Sequence, residues 1–207
     1  MTAVVTTMSA VPKPKMTADE YLAIERAAEF RSEFFDGVMY PMHHDPLTGM
    51  AGASRIHNRV KENVIVEFGG LFKRGPCQTY SSDQRVRLTD TGMFAYPDVV
   101  VVCDPPVFDP HLDTLLNPQV IVEVLSPSTE KYDRGFKFAM YQKQPTIREV
   151  IFFAQDRMRV ERYVRQSDAT WVLTVFEDAD ADFALGTVPV AVPLRDLYRG
   201  VDFGDAE

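Results

Sequence analysis

The chain has 207 residues, of which 45% are hydrophobic and 25% are charged, an ordinary composition for a globular protein. These values exclude a wholly disordered chain, a coiled coil and a fibre. The net charge of -8 argues against a protein that binds nucleic acid over most of its surface, because phosphate binding needs clustered Lys and Arg. A small basic groove or a metal-bridged phosphate is compatible with this charge.

The length predicts one domain with a short arm at the amino end. Residues 1–15 lack hydrophobic periodicity, so we expect a flexible arm there. A single domain should follow over 16–207, with its core to about residue 165 and a β extension over 166–207. The arm lacks the apolar centre of a signal peptide, and the longest aliphatic run, Val99–Val102, is too short to span a bilayer. Cys77 and Cys103 form no CxxC pair, so we expect reduced thiols in a cytoplasmic protein.

The first half of the domain begins with a helix. Thr17 and Glu20 form a capping box that predicts a helix to about residue 28. Residues 31–42 read as two short strands around the Asp36-Gly37 turn. A longer helix is expected over 53–73, where apolar residues recur at helical spacing: Ile56, Val60, Val64, Phe68 and Phe72.

The pattern in the second half of the domain predicts a mixed sheet. Together with the helices of the first half, it predicts an α/β (α+β) fold for the whole chain. Ser128 is the expected N-cap of a helix that runs to about residue 143. The strand-helix-strand unit over 120–153 favours a parallel pair. A long loop is expected over 104–118 and a short helix near 194–198. Strands are expected at 79–88, 98–103, 120–125, 149–153, 159–165 and 170–176, the last three as a meander.

Two strands carry carboxylates in otherwise apolar surroundings. Asp98 begins one strand, and Glu123 is the only charged residue in the other. A carboxylate inside a buried strand is costly unless it is paired, protonated or bound to a cation. If the two strands are antiparallel, Asp98 and Glu123 meet at one edge, where a hard divalent cation would relieve their repulsion. The alternative is a solvent-facing Asp and a Glu paired with an Arg.

The helix that follows adds a cation. Asp133, Lys137 and Tyr141 share one face, and Lys137 could point back at the two carboxylates. The alternative is an ordinary i,i+4 salt bridge between Asp133 and Lys137. Glu33, just before the Asp36-Gly37 turn, is unremarkable by itself.

Several short motifs together resemble the Uma family of putative restriction endonucleases, within the PD-(D/E)XK nuclease superfamily. They are Tyr96-Pro-Asp-Val99, Ile121-Val-Glu-Val-Leu-Ser-Pro-Ser-Thr129 and Asp133-Arg-Gly-Phe-Lys137 with Tyr141. The opening helix, the hairpin around Glu33 and residues 82–88 also fit, so the resemblance covers about residues 16–165. It implies a restriction-endonuclease-like core with a mixed central sheet flanked by helices, followed here by a C-terminal β-meander.

The resemblance also implies a Mg²⁺- or Mn²⁺-dependent DNA endonuclease. Asp98 and Glu123 would bind the metal with the backbone carbonyl of Val124, and Lys137 would assist the attacking water. Glu33 would support the site. The superfamily often has a Lys two residues after the Glu, where this chain has Leu125. Many such nucleases act as dimers, so a homodimer is expected.

Other interpretations of the function remain open. A non-catalytic module for binding nucleic acid or protein could keep the same fold, and a hydrolase of another phosphate ester could use the same residues. The His43-His44-Asp45 run is a weak metal motif, because adjacent histidines rarely reach one ion. His57 could approach a phosphate, but it is interpreted, like His111, as a surface histidine.

Overall fold

The computed structural model describes residues 15–42, 53–90, 92–186 and 191–204. Helices and strands alternate irregularly in this part of the chain, as expected for an α+β protein. The elements are α1 (Ala18–Ala27), β1 (Ser32–Phe35), β2 (Val38–Pro41), α2 (Arg55–Phe72), β3 (Gln78–Ser81), β4 (Arg85–Thr89), β5 (Met93–Ala95), β6 (Val99–Val102), β7 (Thr114–Leu115), β8 (Val120–Val124), α3 (Glu130–Tyr132), a π-helical turn (Asp133–Lys137), α4 (Phe138–Tyr141), β9 (Glu149–Phe153), β10 (Val160–Arg165), β11 (Trp171–Phe176), β12 (Asp182–Ala184), β13 (Ala191–Pro193) and α5 (Leu194–Leu197).

The amino-terminal elements follow the local signals. Thr17 accepts a hydrogen bond from the backbone N–H of Glu20, whose carboxylate accepts one from the backbone N–H of Thr17, so the predicted capping box is confirmed. The β1–β2 hairpin turns at Asp36 and Gly37, with φ of 47° and 80°. Two consecutive positive φ angles are typical of the tight turns that join twisted antiparallel strands.

A six-stranded sheet forms the centre of the fold, in the order β11-β10-β9-β8-β6-β3. Strands β6 and β8 are antiparallel, and β8 and β9 are parallel, as the sequence predicts. The meander of β9, β10 and β11 is also confirmed. Every residue of β6 and β8 is buried, because the sheet is covered on both faces.

The expected single strand over 79–88 is wrong. The chain turns after Ser81, whose carbonyl accepts a hydrogen bond from the N–H of Gln84. Strand β3 then belongs to the central sheet, whereas β4 joins a second sheet of order β2-β1-β5-β4-β7. The short strands β5 and β7 were not predicted, and β7 lies within the expected loop over 104–118. Such short strands form through tertiary pairing rather than through their own periodicity.

The helix after β8 also departs from expectation at its start. Ser128 is not its N-cap: the helix begins at Glu130, and Ser126 Oγ accepts the hydrogen bond from the N–H of Thr129. A π-helical turn at Asp133–Lys137 interrupts the α-helix. Turns of this kind are rare and frequently occur at functional sites.

Three apolar clusters hold the layers together. One fills the space between α2, one face of the central sheet, and β12, β13 and α5. A second fills the space between the opposite face of that sheet, the second sheet and the helix over 130–141. In the third, Tyr21 of α1 stacks on Phe34 of β1 at a ring separation of 4.7 Å. Glu123 lies beside the second cluster, between its members Ile121 and Leu125.

Two further expectations concern the cysteines and the membrane. Cys77 and Cys103 are joined by a disulfide, so the expectation of reduced thiols is wrong for this structure. The two residues flank the paired strands β3 and β6, and this pairing brings the thiols together. None of the helices in the described ranges is long and apolar enough to cross a membrane.

Candidate functional site

Asp98 and Glu123 lie at the same edge of the central sheet. Strands β6 and β8 pair Val99 with Val122, and one further step in this register places Asp98 opposite Glu123. The N–H of Val124 donates a hydrogen bond to Oδ2 of Asp98 at 2.8 Å. The structure therefore brings together the two carboxylates that the sequence singled out.

The alternation of side chains along β8 decides which way Glu123 points. Val122 and Val124 pack on the α2 side of the sheet, whereas Ile121 and Leu125 pack on the side of the 130–141 helix. Glu123 shares the second face because alternate residues of a strand point the same way. Its side chain therefore meets the helix that carries Lys137.

Lys137 is the centre of the contacts on that face. Its Nζ donates to Oε1 of Glu123 at 2.8 Å and lies 3.2 Å from Oε1 of Glu33 and 3.7 Å from Oδ1 of Asp133. Tyr141 donates a second hydrogen bond to Oε1 of Glu123. The ammonium thus contacts three carboxylates from three separate elements, not Asp133 alone.

Glu33 reaches this group from the β1–β2 hairpin. Its side chain is buried, Oε2 accepts a hydrogen bond from the hydroxyl of Tyr132 at 3.1 Å, and Oε1 faces Lys137. The Asp36-Gly37 turn and the packing of Phe35 against Tyr132 and Phe136 fix the hairpin over the helix. A Glu that is unremarkable in the sequence is therefore part of the cluster.

Burial and neighbouring charges shift the pKa values of these groups in opposite directions. Burial raises the pKa of Glu123 to about 8, against the opposing charge of Lys137. Burial also raises the pKa of Asp133. For Lys137, burial acts to lower the pKa, but Glu123 and Glu33 outweigh it and hold the pKa well above its ordinary value. Burial acts to raise the pKa of Asp98, but hydrogen bonds and charge, His57 foremost, bring it below its ordinary value.

The cluster is short of positive charge. Three carboxyl groups, of Glu33, Glu123 and Asp133, contact the one ammonium of Lys137, and a fourth, of Asp98, is held by Val124 and His57. Buried titratable groups with strongly shifted pKa values are typical of functional sites, although structural ion pairs produce them too. Within the described ranges, no three His, Cys, Asp or Glu side chains converge closely enough to hold a metal ion by themselves.

His57 is the residue that sequence reasoning missed. Its Nε2 lies 2.9 Å from Oδ1 of Asp98, and both side chains are only 14% exposed, so its interpretation as a surface histidine is wrong. The sequence did contain a signal that His57 is partly buried. His57 stands three residues before Val60 and seven before Val64, so it lies at the side of the buried face of α2.

The remaining candidates are the His43-His44-Asp45 run, His111 and Leu125. The His43-His44-Asp45 run lies outside the described residues. His111 is exposed, in agreement with its interpretation. Leu125, at the position where the superfamily often has its Lys, is buried in the second apolar cluster.

A model of the Uma2 family, described as putative restriction endonuclease, matches residues 18–192. The uncharacterized protein slr1290 of Synechocystis is 29% identical over 192 residues, which are 93% of this chain and 96% of that protein. The uncharacterized protein sll1609 of the same organism is 34% identical over 172 residues, or 82% and 93% of the two chains.

A solved structure shows the same fold. The crystal structure of a putative nuclease belonging to DUF820 from Anabaena variabilis superposes with a TM-score of 0.68 at 17% identity. The match covers 88% of this chain and 97% of that one, and it confirms the expected nuclease-like fold with mixed sheets. Family and fold together support a nuclease role. The chain belongs to the Uma2 family of putative restriction endonucleases.

Proposed function

We propose that this protein is a Mg²⁺- or Mn²⁺-dependent DNA endonuclease whose site is formed by Asp98, Glu123, Lys137 and Glu33. The observation that carries the proposal is the meeting of Asp98 and Glu123 at one sheet edge, with the ammonium of Lys137 bound to Glu123. The excess of buried carboxyl groups over cations at this place favours a divalent cation as the missing charge.

The donor atoms fit a hard cation. Both hydrogen bonds to Glu123 fall on Oε1, and Oε2 accepts none from the described residues. Mg²⁺ is commonly held by one or two carboxylates, with water and substrate phosphate in its other positions. Asp98 and Glu123 would supply the two carboxylates, and the carbonyl of Val124 a third oxygen. A site with so few protein ligands is consistent with the absence of a closed metal cluster in the described ranges.

Each residue has a distinct part in the proposed reaction. The chemistry supplied by a bound Mg²⁺ is to lower the pKa of water and to offset charge on the phosphate. Asp98 and Glu123 would hold the ion, and the N–H of Val124 holds Asp98 in place. Lys137 orients the attacking water or neutralises charge in the transition state, as a preorganised cation. Glu33 holds that ammonium from the β1–β2 hairpin, and Tyr132 orients Glu33.

We also propose that the protein acts as a homodimer, because the cleavage of both strands of a duplex requires two sites. Strand β11 supports this: in the described part of the chain it borders only β10, and it exposes Val172, Leu173 and Val175. An apolar edge strand without charges is a template for pairing with another chain. Light scattering on the purified protein would measure the oligomeric state.

Cleavage assays test the proposed function. Purified protein is incubated with supercoiled, linear and single-stranded DNA, and with RNA, in Mg²⁺ or Mn²⁺. Asp98→Asn and Glu123→Gln remove the charge but keep the shape of each ligand. Asp90→Asn, at a fully exposed carboxylate, is the matched control. We expect metal-dependent cleavage of DNA that falls at least about a hundredfold in the two site variants and is unchanged in the control.

Two results would contradict the proposal. Full activity in Glu123→Gln would contradict the assignment of Glu123 to the active site. If the folded protein neither cleaves any of these substrates nor binds Mn²⁺, a non-catalytic module is the better account of the fold. Cleavage of RNA alone would keep the chemistry and change the substrate.

A further inference from the structure

Lys61 carries a positive charge that no carboxylate of the described ranges pairs with. The residue lies on α2 and is half-buried, whereas Lys73 and Lys143 are exposed. Nζ of Lys61 donates a long hydrogen bond, at 3.4 Å, to Oγ of Ser82. A cation that is partly removed from water gains most from a partner of opposite charge. The ammonium of Lys61 is therefore in a position to take up an anion.

This ammonium lies at the same sheet edge as Asp98. Strand β3 ends beside the start of β6, because Ser81 pairs with the residue that follows Asp98. Neighbouring strands are about 4.8 Å apart, so Ser82 lies close to the carboxylate edge. His57, one helical turn before Lys61 on the same face of α2, contacts Asp98. This face of α2 thus borders the proposed cleavage site.

Arg31 holds the turn that carries Ser82. Its guanidinium donates to the carbonyl oxygen of Ser82 at 2.5 Å and also binds the carboxylate of Asp83. Asp83 is the one acidic residue of this turn, and Arg31 offsets its charge. The hydroxyl of Ser82 and the ammonium of Lys61 remain as two neighbouring donors for an anionic oxygen.

A cation at this place answers a difficulty that DNA binding raises. The chain has a net charge of -8, and buried carboxyl groups form the proposed site. A DNA strand that brings one phosphate to Asp98 also brings the neighbouring phosphates to the same sheet edge. Lys, Arg and hydroxyl side chains supply most contacts to backbone phosphates, and each neutralised phosphate adds to affinity.

We propose that Lys61 and Ser82 bind a backbone phosphate of the DNA strand next to the phosphate that is cleaved. The inference rests on the proposed function, because it places DNA at the edge that carries Asp98. Since this phosphate does not react, Lys61 contributes to binding and to the register of the strand, not to the chemical step. The competing role is structural, in which Lys61 only ties α2 to the turn at Ser82.

The salt dependence of DNA binding separates these two roles. Fluorescence anisotropy measures the binding of a short labelled duplex to the full chain at several salt concentrations. Ca²⁺ replaces Mg²⁺, because it also takes oxygen ligands but in a more flexible geometry, and a gel checks that the DNA stays intact. The variants are Lys61→Met, Lys61→Gln and the charge-conserving Lys61→Arg. Lys73→Met, about 18 Å away along α2, is the matched control for net charge.

We expect Lys61→Met and Lys61→Gln to bind DNA about tenfold more weakly, with a plot of log affinity against log salt that is less steep by about 0.9. Lys61→Arg should keep the slope, and Lys73→Met should match the unmodified protein. In cleavage assays in Mg²⁺, Lys61→Met should raise KM for DNA by about the same factor and leave kcat nearly unchanged.

Equal salt slopes in Lys61→Met and Lys73→Met would overturn the inference. A loss of kcat at unchanged KM would overturn it too. Cleavage that still requires metal, Asp98 and Glu123 would in either case leave the proposed function intact. Failure of the folded, unmodified protein to bind any DNA would overturn both.

Discussion

Nζ of Lys137 lies 2.8 Å from Oε1 of Glu123, although the two residues belong to different elements. The superfamily often carries its Lys two residues after the Glu, on the same strand. Here that position is Leu125, and a helix interrupted by a π-helical turn supplies the ammonium instead. Since Glu123 and Leu125 point to the same face of the sheet, both arrangements bring a cation to the same place.

Removal of the ammonium should destabilise the fold. Lys137→Met leaves the buried carboxyl groups of Glu33, Glu123 and Asp133 without their shared cation. Breaking a buried ion pair by removing one partner costs about 3–5 kcal/mol. Urea denaturation of the metal-free protein measures the free energy of unfolding. Lys131→Met, at an exposed lysine of the same helix, should change it little, and a loss below about 1 kcal/mol in Lys137→Met would contradict the expectation.

A lysine on β8 should be able to replace the proposed catalytic Lys137 in part. Lys137→Met is expected to lower DNA cleavage about 10²–10³-fold, the usual cost of one preorganised electrostatic group. Addition of Leu125→Lys to this variant should recover part of the activity, because residue 125 lies beside Glu123. Leu125→Met in the same background is the matched control, since it keeps the volume without the charge. Equal activity in the two double variants would show that an ammonium at 125 does not reach the site.

Acid should weaken the contact between α1 and the loop that contains Asp113. The hydrogen bond from Arg26, with further contributions from Arg85 and Thr114, holds the pKa of Asp113 well below its ordinary value. A carboxyl group with a lowered folded-state pKa stabilises the fold above its unfolded pKa, near 3.9, and this stability is lost as pH falls toward the folded-state pKa.

Asp113→Asn should therefore lower the free energy of unfolding at pH 7 by about 1 kcal/mol, since these ion pairs are partly exposed. Its own loss of stability below pH 4 should be smaller than that of the unmodified protein. Thermal unfolding between pH 2 and 7 checks both statements. Parallel curves for the two proteins would show that Asp113 does not contribute to acid sensitivity.

Reduction of the disulfide should lower stability. Cys77 and Cys103 are 26 residues apart, and closure of a loop of this length stabilises a fold by roughly 3.5 kcal/mol in the chain-entropy model. Thermal unfolding with and without a thiol reductant measures the effect. The double variant Cys77→Ala, Cys103→Ala should not respond to reductant, and an equal response of both proteins would assign the change to another cause.

Much of the fold could be predicted because its signals are local. The capping box of Thr17 and Glu20 and the Asp36-Gly37 turn are set by residues close in the chain. The wholly apolar stretches of β6 and β8 predicted central strands, and Asp98 and Glu123 were noticed because carboxylates are costly there. The antiparallel pairing of the two strands was a condition in the sequence argument, and the structure meets it.

The composition of the site depended on contacts between distant segments. Periodicity shows which face of an element is buried, but not which other element covers that face. Glu33 reaches Lys137 only because the hairpin packs over the helix, and His57 reaches Asp98 only because α2 packs against the sheet. The division of residues 79–88 between two sheets has the same cause. The sequence by itself thus determined the individual elements and the carboxylates within them, whereas tertiary packing decided which groups share one charged site.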